Sequence, residues 1–205
     1  PITYEDCGED LYSIQGLKLL SPKLKTLNVF DYSALEQLQQ AAQMADKISI
    51  QGVQPKLSAI LNISQSRFEL VDIFGTYILK PQQLQYPELP ENESISMKMA
   101  ALSTIEIPVC GLIYSKDKSF SYFCKRFDRI NKNEKLLTED FAQLAMITRE
   151  LKYDYTMEKL VKIIDQFCTF SLIEKRKLFK RVIFNFIIGN EDMHLKNYSL
   201  ITRRG

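Results

Sequence analysis

The chain has no tryptophan, a single histidine and only four cysteines in 205 residues. His194 is the lone imidazole, and Cys7, Cys110, Cys124 and Cys168 are scattered without a C-x-x-C pair, which excludes the common Cys/His zinc patterns. The thiols read as reduced and buried. An excess of one charge is missing too. The 27 lysines and arginines face 25 acids, and a formal net charge of +2 gives no long-range reason to expect nucleic-acid binding. Any DNA contact would need a local patch or a partner. No apolar run approaches the roughly 18 residues a membrane helix needs. The opening Pro1-Ile2-Thr3-Tyr4-Glu5-Asp6 is not the basic-then-apolar start of a signal peptide. A cytoplasmic location is expected. Also absent are G-x-G-x-x-G, a P-loop, internal repeats and low-complexity segments.

What is present is an ordinary globular composition, 45% hydrophobic and 25% charged, with enough chain for one domain or two small lobes. Pro1 stands where an initiator Met would be, and Ile201-Thr202-Arg203-Arg204-Gly205 breaks off with a strand and turn under way. The chain reads as a fragment. Ser33-Ala34-Leu35-Glu36 fits a capping box, and Leu35, Leu38, Ala42 and Ala45 predict an amphipathic helix over residues 33–46. From Ile48 to Lys80 the pattern is strand-like: Leu57, Ala59 and Leu61 alternate with polar neighbours, and Tyr77-Ile78-Leu79-Lys80 follows Gly75. A helix opens at Leu89-Pro90-Glu91-Asn92-Glu93. A hairpin then runs over Gly111–Ser115 and Phe120–Lys125, turning at Lys116-Asp117. After the polar stretch from Ile130 to Lys135 the pattern is nearly all helical. Thr138 caps a helix carrying Glu139 and Asp140, Thr156 starts another, and Ser171-Leu172-Ile173-Glu174 is a second capping box before Leu178, Val182 and Phe186. A sheet-rich half joined to a helical half is an α+β arrangement in two lobes, a natural place for a cleft.

The chemistry concentrates near the end, where Gly189-Asn190-Glu191-Asp192-Met193-His194-Leu195-Lys196-Asn197 follows an apolar helix. An Asp followed five positions later by Asn is the spacing of the protein-kinase catalytic loop, whose Asp takes the hydroxyl proton and whose Asn holds magnesium. Such residues are equally ordinary in turns and caps. Lys80, at the end of an apolar strand, could reach phosphates or be a solvated strand end. Glu93 could pair with it or simply favour a helix N-terminus. The loop from Ile48 to Lys56 could offer backbone N–H groups to phosphates or be a plain turn. The segment Tyr122 to Asp128 could present backbone groups to adenine or be an edge strand. Their order decides more than any one of them: loop, strand lysine, helix glutamate, interlobe strand, then Asp192 and Asn197. That is kinase order.

On these segments the chain resembles the HipA-like serine/threonine kinases of bacterial toxin–antitoxin systems. The matching pieces are Ser49-Ile50-Gln51-Gly52-Val53-Gln54-Pro55-Lys56, Tyr77-Ile78-Leu79-Lys80-Pro81, Pro90-Glu91-Asn92-Glu93, Lys125-Arg126-Phe127-Asp128-Arg129 and the run from Gly189 to Ser199. Together they span residues 48–199. The opening is most similar to HipT of the three-protein HipB–HipS–HipT systems, because the stretch before Ile48 is too short for the extra N-terminal subdomain of HipA.

The resemblance implies a two-lobed, protein-kinase-like α+β fold. Residues 1–124 would be the N-lobe, with the nucleotide-covering loop and strand lysine; residues 125–205 would be the hinge and first part of a helical C-lobe. It implies ATP and magnesium (Mg2+) as cofactors. Asp192 would orient or deprotonate the substrate serine, with His194 and Lys196 beside it, and Asn197 would ligate magnesium. Lys80, paired with Glu93, would neutralise phosphate. The backbone of Lys125 and Phe127 would receive adenine, Asp128 would lie near the ribose, and the loop with Gly52 and Gln54 would cover the phosphates. Ser49 matches the serine these kinases autophosphorylate, and a phosphate there adds about two negative charges that would repel ATP. Phospho-Ser49 or Ser49→Asp is therefore expected to lower activity. Gln51 stands where some HipT loops carry a second serine, so double-serine regulation is not expected.

The implied partners are a HipS-like antitoxin, a HipB-like DNA-binding protein and an aminoacyl-tRNA synthetase substrate, with no direct nucleic acid and no membrane. The family's second magnesium ligand, an aspartate after the catalytic loop, has no counterpart before Gly205. The polypeptide as given is expected to be inactive or very weak, and its apolar helix with Phe179, Val182 and Phe186 to lack packing surface. A non-catalytic, pseudokinase-like module that holds antitoxin partners is the competing reading, and a downstream metal-binding Asp separates the two.

Overall fold

Period-two alternation in short strands builds the sheet that carries Lys80. The computed structural model describes residues 12–44, 54–131, 134–148 and 155–203. The chain divides into unit 1, Pro1–Leu102 with Glu106–Glu134, and unit 2, Ser103–Ile105 with Lys135–Gly205. Unit 1 holds a five-stranded antiparallel sheet of β1 (Leu57–Asn62), β2 (Arg67–Leu70), β3 (Tyr77–Pro81), β4 (Cys110–Tyr114) and β5 (Phe120–Lys125), in the order β2-β1-β3-β5-β4. The expected hairpin and strands are all present.

Alternation gives this sheet two different faces. On one, Leu57, Ala59, Phe68, Tyr77, Leu79, Ile113 and Phe123 form the main core. Phe30, Leu17 of α1 (Ile14–Leu20) and Ala41 of α2 (Ala34–Met44) join it there. On the other, Cys110, Leu112 and Tyr122 cluster with Met97 of α3 (Leu89–Leu102). Gly75 lets the chain pass over β1: a Cβ there would come within 2.0 Å of Ser58 Oγ and 3.0 Å of the Ala59 nitrogen.

The capping box expected at Ser33 is formed, with Ser33 N–H donating to Glu36 Oε2 at 2.7 Å and Glu36 N–H to Ser33 Oγ at 3.3 Å. Asp117 in the β4–β5 turn adds a third bond, accepting Ala34 N–H at 3.0 Å. Beneath α2 the buried Gln37 amide donates to Ser115 Oγ and accepts from Ser121 Oγ, both at 2.8 Å. A buried amide satisfied in this way fixes the helix over the sheet without an orphaned polar group.

Unit 2 departs from the expected, nearly all-helical pattern at Leu137–Asp140, while the strand expected around Ile201-Thr202 is present. It contains a two-stranded antiparallel ribbon, β6 (Leu137–Asp140) with β7 (Ser199–Thr202), beside α4 (Phe141–Leu144), α5 (Met157–Phe167) and α6 (Ser171–Ile187). Thr138 caps nothing; it lies within β6, paired with Ile201. The cap is Asp140, whose side chain accepts Gln143 N–H while the Gln143 side chain accepts Asp140 N–H, both at 2.8 Å. Pairing with a strand some 60 residues later overrides the local cap-and-acid signal. The box expected at Ser171 is not formed either. Phe170 occupies the cap position of α6 without a side-chain cap bond, and the Ser171 side chain bonds Asp165 instead.

Phe141, Ala142, Leu160, Ile163, Ile164, Leu178 and Leu195 form the core of unit 2. On α6, Leu178 is buried and Val182 packs against that core, whereas Phe179, Phe186 and Ile187 are exposed. No helix among the described residues is long and apolar enough to cross a membrane. Cys110, Cys124 and Cys168 are free thiols, and burial pushes Cys124 up to about 12, with Cys110 adding to the shift. Both effects keep that thiol protonated and inert.

Candidate active site

Lys80 leaves the apolar end of β3, and Glu93 sits on the second turn of α3. The structure brings them together: Lys80 Nζ donates to both Glu93 oxygens at 2.8 Å, with the two side chains 27% and 22% exposed. Tyr122, opposite Lys80 on β5, places its ring 5.8 Å below the ammonium. This is a partly desolvated cation, held by one carboxylate and one aromatic face and still open to solvent. It is the form a phosphate-binding lysine takes in a kinase site.

The segment after β5 is tied down at both ends. Lys125 N–H donates to Val109 O at 2.8 Å, and its carbonyl accepts the Cys124 thiol at 3.6 Å. Arg126 N–H donates to Thr76 O at 2.9 Å. The Phe127 ring is exposed and Asp128 is buried. Arg126 grips Asp128 in a two-pronged bond, Nε to Oδ1 at 2.8 Å and Nη2 to Oδ2 at 2.7 Å. Burial alone would raise the Asp128 carboxyl, but the Arg126 bonds and charge, with Arg129 beyond, outweigh it and hold the carboxyl below its usual range. Sequence reasoning gives Arg126 no role. The Arg-x-Asp spacing at a strand exit is the signal that could have found it.

In unit 2, α6 ends at Ile187, and Gly189 just beyond its cap has a φ of +70°, the left-handed conformation common after a helix C-terminus. The chain then forms a loop that leads into a short 3-10 turn over Leu195–Asn197. Asn190 Oδ1 accepts Asp192 N–H at 3.1 Å, and Asn197 Nδ2 donates to the Asp192 carbonyl at 2.7 Å and to Oδ2 at 3.0 Å. Asp192 and Asn197 are thus joined directly. His194 and Leu195 turn inward, at 8% and 2% exposure, while Asp192 and Asn197 face solvent and Lys196 is half-buried.

His194 Nδ1 accepts Lys196 N–H at 3.2 Å, so in the neutral ring the proton resides on Nε2. That nitrogen lies 3.4 Å from Asp192 Oδ1. His194 is therefore a buried strut aimed at the carboxylate, and Leu195 anchors the strut in the unit 2 core. Beyond the loop, Phe141 N–H donates to Tyr198 O at 2.9 Å and β7 pairs with β6, which closes the loop on both sides.

Magnesium takes hard oxygen ligands, one or two from protein and the rest from phosphates and water. Asn197 suits that role, because its amide nitrogen is spent on Asp192 and its oxygen is left for another partner. Among the described residues no group of three His, Cys, Asp or Glu side chains could hold a metal ion. Gln54, at the end of the phosphate-loop candidate, is half-buried; Ser49 and Gly52 lie outside the described residues.

With this geometry in hand, residues 48–205 match the family model of the HipA-like C-terminal domain. The chain belongs to that family. A Haemophilus influenzae protein named "Putative kinase" is 32% identical to this HipA-like chain over 203 residues, covering 93% of the chain and 58% of that protein. The serine/threonine-protein kinase toxin HipA of Shewanella oneidensis is 26% identical over 173 residues, 75% of the chain and 39% of that protein. The HipA-like chain also superposes on a solved structure of the Shewanella oneidensis HipA, HipB and operator DNA complex. The TM-score is 0.60 at 20% identity, over 87% of this chain and 48% of that one, and the likeness is one of fold. The α+β fold is that of HipA. The HipA-like chain spans 39% to 58% of the length of the curated relatives it matches.

Proposed function

We propose that this HipA-like chain carries the nucleotide site and catalytic loop of an ATP-dependent serine/threonine protein kinase, the toxin of a bacterial toxin–antitoxin system. One observation carries the reading. Both halves of the kinase constellation are formed, Lys80 bonded to Glu93 in unit 1 and Asp192 bonded to Asn197 in unit 2, in kinase order along the chain. Phosphoryl transfer asks the protein mainly for position and charge, and these residues supply both.

In the proposed reaction Lys80 neutralises nucleotide phosphate and Glu93 fixes the lysine's direction. The Lys125 carbonyl and the backbone of Phe127 receive adenine, Asp128 lies by the ribose, and Gly52 and Gln54 lie in the loop over the phosphates. Asp192 orients the acceptor serine hydroxyl and takes its proton, His194 holds Asp192 in place, and Lys196 adds positive charge nearby. Asn197 would hold Mg2+, which would supply neutralising positive charge to the phosphates. The HipT-like reading adds a HipS-like antitoxin, a HipB-like DNA-binding partner and an aminoacyl-tRNA synthetase as substrate, all in the cytoplasm. The likeness to a HipA solved with HipB and operator DNA supports the toxin–antitoxin part of that reading.

Calorimetry with ATP and magnesium on the full-length gene product tests this reading. Binding is expected, and Lys80→Met should weaken it by about tenfold or more, the worth of a charge-assisted phosphate contact. No binding by the unsubstituted protein would end the kinase reading. The same protein should acquire phosphate on Ser49 by its own activity, and Ser49→Asp should lower transfer rates. Full activity in the Asp variant would remove Ser49 from regulation.

A further inference from the structure

Just beyond β5, a charged side chain stands next to the Arg126–Asp128 fork without being satisfied by it. The side chains of Arg126, Asp128 and Arg129 are 9%, 11% and 12% exposed, so two guanidinium groups and one carboxylate share a largely desolvated spot. The carboxylate belongs to Arg126, which takes both of its oxygens. Arg129 comes no nearer than Nε to Oδ2 at 3.9 Å, where the charges attract but no hydrogen bond forms. Among the described residues this is the only polar partner of the Arg129 side chain, and its Nε is buried with no hydrogen bond. Arg67 shows the contrast: its Nε is also buried and unbonded, yet its Nη1 donates to Asp31 at 2.7 Å and the side chain is 37% exposed.

A guanidinium is a planar fork of N–H donors that stays charged at any physiological pH, and burying it without acceptors is costly. Two cations against one carboxylate also leave the cluster with excess positive charge. For packing alone, a methionine at position 129 would fill a similar volume without either cost. A carboxylate or a phosphate offers paired oxygens that match the fork, and its charge balances the cluster. An oxyanion is therefore the ligand that turns the unsatisfied guanidinium into a site.

We propose that the Arg129 guanidinium is an anion-binding site that takes a carboxylate or phosphate group from a ligand. The site is separate from the Lys80–Glu93 pair, with which it shares no partner. It requires neither ATP binding nor phosphate transfer, so it stands or falls independently of the kinase reading. Arg126 fixes Asp128, and Arg129 is the member of the cluster left with donors to offer.

Thermal melts of the full-length gene product in sodium phosphate, sodium acetate and sodium chloride at matched ionic strength test it, with Arg129→Gln, Arg129→Lys and Lys80→Met beside the unsubstituted protein. At least one oxyanion is expected to raise the melting temperature above the chloride value by about 2 °C or more, along a saturating curve, as a ligand of the folded state does. A rise with phosphate alone marks a phosphate ligand, and a rise with acetate alone marks a carboxylate. Lys80→Met should keep the rise. Arg129→Gln should lose it while still melting cooperatively in chloride, and Arg129→Lys, which keeps the charge but not the fork, should recover only part. No excess over chloride in the unsubstituted protein overturns the proposal. So does an excess that survives in Arg129→Gln or disappears in Lys80→Met. Should Arg129→Gln fail to fold, the nitrogen resonance of Arg129 Nε in the unsubstituted protein decides: saturable movement with the oxyanion supports the site, and a fixed resonance overturns it.

Discussion

Asp192→Ala is expected to cut phosphate transfer by about 10²- to 10⁴-fold, the range for losing a positioned general base, while ATP binding stays within a small factor. In the proposed reaction the two readouts separate, because Asp192 would act on the acceptor hydroxyl while the charge that holds nucleotide would sit on Lys80 in unit 1. The variant should also keep its loop. The Asp192 main-chain carbonyl still accepts Asn197 at 2.7 Å, Asn190 still accepts the residue 192 N–H, and Leu195 remains anchored in the unit 2 core. Steady-state transfer assays beside ATP calorimetry on the full-length protein check this. Near-normal transfer would deprive Asp192 of its role, and loss of ATP binding along with transfer would mean that the loop does more than position the acceptor.

Phe123→Ala should lower the stability of unit 1 by about 3–5 kcal/mol, the usual cost of emptying a buried phenyl site. Phe123 is fully buried on β5, with ring centroids 5.0 Å from Phe68 and 6.4 Å from Tyr77. Its neighbours come from β2 and β3, which are hydrogen-bonded into the sheet and cannot collapse into the void. Against a typical total of about 5–15 kcal/mol the loss is large, and a melting temperature lower by roughly 10 °C is expected. Function should follow, because β5 also carries Tyr122 under Lys80 and leads into the Arg126–Asp128 fork. Thermal melts of the variant and of Phe123→Leu, which should lose much less, check the prediction; an unchanged melt for the alanine variant would place Phe123 outside the core.

Unit 1 was legible because its signals are local. Leu57-x-Ala59-x-Leu61 and Tyr77-x-Leu79 announce strands by alternation, Lys116-Asp117 announces a turn, and Ser33 with Glu36 announces a cap. Strand lysine, helix glutamate and the Asp–Asn spacing could be named in order for the same reason. What escaped was non-local. Leu137–Asp140 carries a cap-and-acid pattern whose strand partner lies at Ser199–Thr202. Ser171 looks like a cap until Asp165 is seen to take its hydroxyl. The inward turn of His194 depends on a core assembled from α4, α5 and α6. Residue types told which chemistry was possible; pairing told which side chains meet.

If Asp192 and Lys80 serve one phosphoryl transfer, as proposed, labelled γ-phosphate should pass from ATP to protein serine in the full-length gene product, and transfer measured with and without magnesium tests this most directly. Magnesium-dependent phosphoserine that disappears in both Asp192→Ala and Lys80→Met is expected. Transfer that persists in either variant, or no transfer by a folded, ATP-saturated protein with magnesium present, would contradict it.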